Sequence, residues 1–232
     1  MGRPFVILAA IGIVSAAAAA GATVATPLPV SNLFTKNGKP ATLRSGVTYQ
    51  ADRSFPTGLR FTLPDGSWAG AQWRTGRGPG AVGQRKPPFY GWVNVGEGPI
   101  SAPPLGAVTI MMAWAQSPGV AAIVQKLRRQ GHGATYGPTS SVSVGGVTGN
   151  QFDATIVGHE HAFIPFSRTS GASRYYSDAT FFGKGEHVRV IVLNARGKGV
   201  VVYIENARLP LDQFPAFLKR ADVLLQTLRL SK

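Results

Sequence analysis

"VRVIVLNARGKGVVVYIEN", residues 188 to 206, decides the fold. Two apolar runs, His187 to Leu193 and Val200 to Ile204, flank Ala195-Arg196-Gly197-Lys198. Strand-length runs joined by a short glycine-containing link read as a β-hairpin. A second hairpin lies upstream, where Ser141 to Val144 meets Gly145-Gly146 and returns from Val147, the two-residue pattern that favours a tight turn. Its return strand runs through Phe152, Ala154 and Ile156. Gly58 to Leu63 alternates apolar and polar, Pro64-Asp65-Gly66 turns the chain, and Ser67 to Trp73 reads as the next strand. Phe89 to Val95 and Ala107 to Trp114 add two more, the latter expected to be buried on both faces. Links this tight imply an antiparallel sheet.

Two segments carry the helical period. Ser117-Pro118 reads as a helix start, with Ser117 as cap and Pro118 where its missing donor costs nothing. Val120, Ile123, Val124 and Leu127 then form a stripe, Lys126, Arg128 and Arg129 crowd the end, and Gly131 stops it. From about Leu211 a second stripe runs through Phe214, Phe217, Leu218, Ala221, Leu224, Leu225 and Leu228. The expected class is α+β: an antiparallel sheet with two main helices packed on it.

The chain has 232 residues, 44% of them hydrophobic and 15% charged, which suits one folded domain rather than disorder. Glycine at 29 and proline at 17 fit a turn-rich sheet. There is no cysteine, so disulfides, thiolate metal sites, cysteine nucleophiles and a lipid-bearing cysteine are excluded. Met1-Gly2-Arg3, the uncharged run from Phe5 to Ala20, and small residues at Ala20-Gly21-Ala22 or Thr23-Val24-Ala25 follow the signal-peptide pattern. Residues 1–25 are expected to be a cleaved signal, the alternative being a retained anchor. Residues 26–52 show no sustained period and read as a linker or arm, and 53–232 as a single domain. The expected location is secreted or extracytoplasmic. A net charge of +14, with sixteen of 24 basic residues arginine, favours an anionic partner. In an exported protein that means an anionic envelope component rather than nucleic acid.

"FTLPDGSW" at 61–68, "SVSVGGVTGNQFDATI" at 141–156, the opening stretch, and "FPAFLKRADVLLQTLRL" at 214–230 resemble secreted bacterial domains of PsbP-like type. The resemblance covers about residues 53 to 232. It implies an antiparallel sheet with helices on its faces, in an exported, mostly non-enzymatic domain that docks on partners. It brings no catalytic residues. Two departures are the missing anchor cysteine and the long loops at 74–88 and 162–186.

"GNQFDATIVGHEHAFIPF", residues 149 to 166, holds the chemistry to be weighed. On a continuing strand His159 and His161 share a face, with Glu160 opposite, at a spacing that suits one metal. A catalytic zinc needs a third protein ligand, for which His187, Glu186 and His132 are the candidates. The stretch is read as a strand ending near Ala162 without tightly bound metal; a metal-dependent hydrolase using His159 and His161, with His187, is the alternative. Gly78-Pro79-Gly80-Ala81-Val82-Gly83 matches a nucleotide-loop pattern in letters, but Gln84-Arg85-Lys86-Pro87-Pro88 cannot open the helix that pattern needs. Arg74, Arg77, Arg85 and Lys86 in the same loop are candidates for gripping a polyanion. Phe163, Phe166, Tyr175, Tyr176, Phe181 and Phe182 are candidates for lining a ligand. No G-x-S-x-G elbow occurs. The reading that results is an exported, non-catalytic binding or docking domain without a cofactor.

Overall fold

The computed structural model describes residues 24–32, 40–52, 55–56, 58–74, 90–98, 104–113, 116–130, 132–166 and 180–231. In chain order the elements are β1 (Thr26–Pro27), β2 (Val30–Asn32), β3 (Ala41–Leu43), β4 (Thr48–Gln50), β5 (Gly58–Thr62), β6 (Trp68–Arg74), β7 (Tyr90–Glu97), β8 (Ala107–Ala113), α1 (Val120–Arg128), β9 (Ala134–Tyr136), β10 (Ser140–Val144), β11 (Val147–Ile156), β12 (Glu160–Phe163), β13 (Thr180–Gly183), β14 (His187–Ala195), β15 (Lys198–Glu205), α2 (Phe214–Thr227) and β16 (Arg229–Ser231).

A ten-stranded sheet organises the molecule. Its path is β10-β11-β14-β15-β8-β7-β6-β2, with β3 on β6 and β9 on β11. The quoted hairpin lies at its centre: Val188 faces Glu205 and Ala195 faces Lys198 across β14–β15. Arg196 (φ 57°) and Gly197 (φ 82°) make the turn, both left-handed, which matches the twist of the strands they join. Gly145 (φ 55°) and Gly146 (φ 82°) do the same between β10 and β11.

Strand alternation sends side chains to two separate cores. Ile191, Leu193, Val200, Val202, Ile204, Val108, Ile110 and Met112 pack on one face with Phe217, Ala221, Leu224 and Leu225 of α2. A four-stranded sheet, β1-β4-β5-β16, covers the rest of that face through Tyr49, Leu59 and Phe61. Trp68 is fully buried there and donates its indole N–H to the Pro64 carbonyl at 3.0 Å, so its burial leaves no polar group unpaired. On the second face Val188, Val190, Val192, Val201, Tyr203 and Phe152 pack against Ile123, Val124 and Leu127 of α1 and against Phe163 and Phe182 of the β12–β13 hairpin. Gly199 makes that approach possible: a Cβ there would lie 2.8 Å from Ile123 Cδ1 and 3.0 Å from Phe166.

Four expectations are corrected. The fold is not an α+β layer with two main helices. Among the described residues sixteen strands stand against helices of 9 and 14 residues, and the sheets dominate. The helical period is conspicuous in a sequence, whereas strands of two or three residues leave no period to read. The sheet is also not purely antiparallel, because β2 pairs β6 in parallel and β1 pairs β4 in parallel. Residues 26–32 and 40–52, read as a linker or arm, supply β1 to β4 and bury Leu28, Leu43 and Tyr49. The start of α1 moves as well. The Ser117 N–H is taken by the Gly197 carbonyl at 2.9 Å, so the chain stays extended until Gly119, which caps the helix without a side chain.

Candidate functional site

The four histidines do not converge. β11 ends at Ile156, and a bend at 157–159 interrupts the chain before β12. The expected continuous strand is therefore broken, and the alternation that would align His159 with His161 is lost. His159 is exposed in the bend. His161 points inward, 4% exposed, with its ring 4.6 Å from Phe163 and its Nε2 3.3 Å from the Tyr136 hydroxyl. Burial holds its pKa below the usual histidine range. His187 sits on the opposite side of the large sheet, because it alternates with Val188 and Val190 of the second core. Its backbone N–H donates to Asn206 at 2.8 Å. His132 is exposed. Glu186 accepts the Gly183 N–H at 2.9 Å and closes the turn after β13. Among the described residues no group of three or more histidines or carboxylates is placed to hold a metal.

The aromatic candidates divide. Phe163 and Phe182 are buried with Tyr203 in the second core, at centroid separations of 5.5 to 5.8 Å. Phe166 is partly buried against the same cluster, and Phe181 is 37% exposed. Tyr175, Tyr176, Arg77, Arg85 and Lys86 lie outside the described residues, as does the side chain of Arg74.

A carboxylate pair escaped the sequence reading. Glu205 ends β15 on the second face, in the row Gly96, Ala107, Glu205, Val188, Ala154, Tyr136. Burial, and then the charge of Glu186, push its carboxyl up to about 8. Burial also raises Glu186, against the Gly183 N–H that lowers it. At neutral pH Glu205 therefore keeps its proton.

A concavity lies elsewhere. A groove of about 820 Å³ runs between the start of α1 and the strands beneath it. Val120 and Ala121 form one wall; Ser141, Ser143, Thr148, Asn150 and Asn194 form the floor. Topology explains the assembly. The Gly145-Gly146 turn fixes Ser143 opposite Thr148 and Ser141 opposite Asn150, so four small polar side chains share one face. Asn194 joins them from β14. No lining residue is charged, in a protein of net charge +14. Such a surface offers hydroxyl and amide hydrogen bonds in both directions, and no group poised for proton transfer. The missed signal was the hairpin register, readable from the two-residue turn alone.

The sequence matches no family model and no curated protein. Among solved structures, the solution structure of cyanobacterial PsbP (CyanoP) from Synechocystis sp. PCC 6803 aligns over 84% of this chain and 96% of that chain, with a TM-score of 0.44 and 11% identity. The fold resembles that of PsbP. The crystal structure of LpqN, described as involved in cell envelope biogenesis of Mycobacterium tuberculosis, aligns over 84% of this chain and 91% of that one, with a TM-score of 0.29 and 12% identity. At these identities the PsbP-like resemblance concerns fold alone.

Proposed function

We propose that this protein is an exported, non-catalytic binding domain whose ligand seat is the groove between α1 and β10–β11. One observation carries the reading: five hydroxyl and amide side chains from three strands converge on an open, uncharged concavity. A few convergent polar groups beside apolar wall atoms are what orient a ligand in a binding site. Export is supported by the charged start, apolar run and small residues of 1–25. The basic surface supports residence beside anionic envelope components.

Amide NMR spectra of the chain, titrated with an N-acetylglucosamine oligomer and with the capped dipeptide acetyl-Ser-Asn-amide, test the seat. Shifts are expected at Ser141, Ser143, Thr148, Asn150 and Asn194, and they should disappear in an Asn150→Leu, Asn194→Leu double variant. Shifts confined to other regions, or no shift in the groove with either probe, would overturn the assignment.

A further inference from the structure

We propose that Arg60 and Arg229 form a binding site for a phosphate monoester on the outer face of the four-stranded sheet. The two residues face each other directly across β5 and β16. Leu59, Phe61 and Leu228 are buried in the first core, and Leu230 packs against it. Strand alternation therefore sends both arginines outward, and both are exposed. Opposed residues on neighbouring antiparallel strands have Cβ atoms about 4.5–5.5 Å apart, and like charges at that spacing destabilise a sheet. Nothing acidic beside them offsets this cost. Every aspartate and glutamate of the chain except Asp178 lies among the described residues. Among those residues neither Arg60 nor Arg229 has a carboxylate partner. The rest of their row, Pro27 and Gln50, is uncharged, and so is the adjoining pair Thr48 and Thr62.

Both arginines donate to neutral acceptors. Arg60 Nε donates to Gln50 Oε1 at 2.8 Å. A terminal nitrogen of Arg229 donates to the Gln226 and Leu228 carbonyls at 2.9 and 2.8 Å. β5 lies between β4 and β16, so Arg60 leans away from Arg229, as two like charges do. The carbonyl bonds account for Arg229 as a cation at the end of α2. They do not account for a second arginine placed opposite it. A guanidinium gains more from an anionic oxygen than from a neutral one, so an anion held between the strands turns both side chains towards it. The ligand class follows from charges and oxygens. A carboxylate brings one charge and two oxygens, which a single guanidinium fork satisfies. A phosphate monoester carries about −1.5 to −2 at neutral pH and three acceptor oxygens, enough to take both arginines and offset both charges. The site is independent of the groove, which lies with α1 over the other face of the large sheet.

The test follows arginine Nε–H and backbone amide signals of the full chain in NMR spectra as sn-glycerol 3-phosphate is added. Saturable shifts are expected at Arg60 and Arg229, with Gln50 following as Arg60 leaves it. Arg60→Gln and Arg229→Gln should each weaken binding at least about tenfold, since each removes a charge-assisted fork. Arg60→Lys keeps the charge, loses the fork and should also bind more weakly; binding equal to wild type would overturn the forked site. Equal shifts at the exposed Arg44, Arg129 and Arg196 would mean that only the net charge of +14 attracts the anion, and would overturn the site. Stability gives a second reading. Arg60→Glu turns the like-charge pair into an opposite-charge pair, so it should raise the thermal midpoint in phosphate-free buffer. Saturating glycerol 3-phosphate should then raise the midpoint of wild type and leave the variant unmoved. A wild-type midpoint indifferent to the ester, or a variant that rises as far, would overturn the pair. Phosphatidylcholine vesicles with and without phosphatidic acid separate the sources of the monoester. Sedimentation with the phosphatidic acid vesicles, lost in Arg60→Gln, assigns it to a lipid headgroup. Binding of the free ester alone assigns it to a soluble ligand, and failure of both overturns the proposal.

Discussion

The Tyr136 hydroxyl lies 3.3 Å from Nε2 of His161, beneath a hairpin that leaves this histidine 4% exposed. Gly133 closes the other side: a Cβ there would be 2.9 Å from Nδ1. The imidazole is thus a tightly packed core group, and burial lowers its pKa from 6.5. As pH falls below 6.5, the unfolded histidine takes a proton that the folded one refuses, so stability present above 6.5 is lost on acidification. A His161→Phe variant should lack this contribution. Urea unfolding of both proteins above and well below 6.5 checks it: the gap between them should shift in favour of the variant on the acid side.

The same burial argues against His161 as a metal ligand. With His159 outside in the bend and His187 on the far face, wild type and a His159→Ala, His161→Ala double variant should behave alike in zinc titration. One equivalent taken up at sub-micromolar affinity by wild type alone would install the hydrolase reading. Calorimetry with zinc chloride, backed by elemental analysis of the protein as purified, distinguishes the outcomes.

Glu205 gives the opposite pH signature. Its folded carboxyl keeps a proton up to about 8, whereas the unfolded one ionises near 4.5. Stability from this group is fully present below 4.5 and declines as pH rises towards 8, because the folded state holds the extra proton over that window. Glu205→Gln cannot ionise and should remove the decline. Above pH 8 the variant should be the more stable protein, by on the order of a few kcal/mol at most, since each tenfold difference in proton affinity between the folded and unfolded chain is worth about 1.4 kcal/mol. Denaturant midpoints measured across this range would show wild type and variant diverging as pH rises; parallel curves would mean that Glu205 is ionised in the fold.

Much of this fold was legible in particular residues. Arg196-Gly197 and Gly145-Gly146 declare their turns, and the stripe from Phe214 to Leu225 declares α2. The N-terminal strands were not legible, because Thr26–Pro27 and Val30–Asn32 are too short to show alternation and acquire partners only from distant β4 and β6. The histidine pair misled because nothing in Val157-Gly158-His159 announces a bend strong enough to break strand parity. Glu205 carried no signal in the sequence, because its burial and the nearby charge of Glu186 arise only from the fold. The groove was half legible: hairpin register joins Ser141, Ser143, Thr148 and Asn150, but only the sheet order brings Asn194 and the start of α1 to them.

Leu224 tests the first core. It is fully buried where α2 meets the sheet. Leu224→Ala should destabilise the protein by about 2–5 kcal/mol, the usual loss when a buried leucine leaves a cavity. A loss below about 0.5 kcal/mol in urea unfolding is what surface positions show, and it would place α2 elsewhere.

Export makes the last prediction, and the fold constrains it. Cleavage after Ala22 or after Ala25 leaves a mature chain that begins at Thr23 or Thr26. Either product retains Thr26–Pro27, which pairs with Tyr49 and Gln50, and retains Leu28, buried in the first core with its N–H on the Gln50 carbonyl at 2.8 Å. Cleavage further in would remove a strand and a core residue together. Amino-terminal sequencing of protein recovered from the culture medium or envelope fraction should therefore return Thr23 or Thr26. Recovery of intact Met1 from a membrane pellet would show a retained anchor. A mature end beyond Leu28 would show that β1 is dispensable, and a Leu28→Ala variant would then unfold like wild type; with Thr23 or Thr26 as the start, that variant should lose about 2–5 kcal/mol, as a buried leucine does.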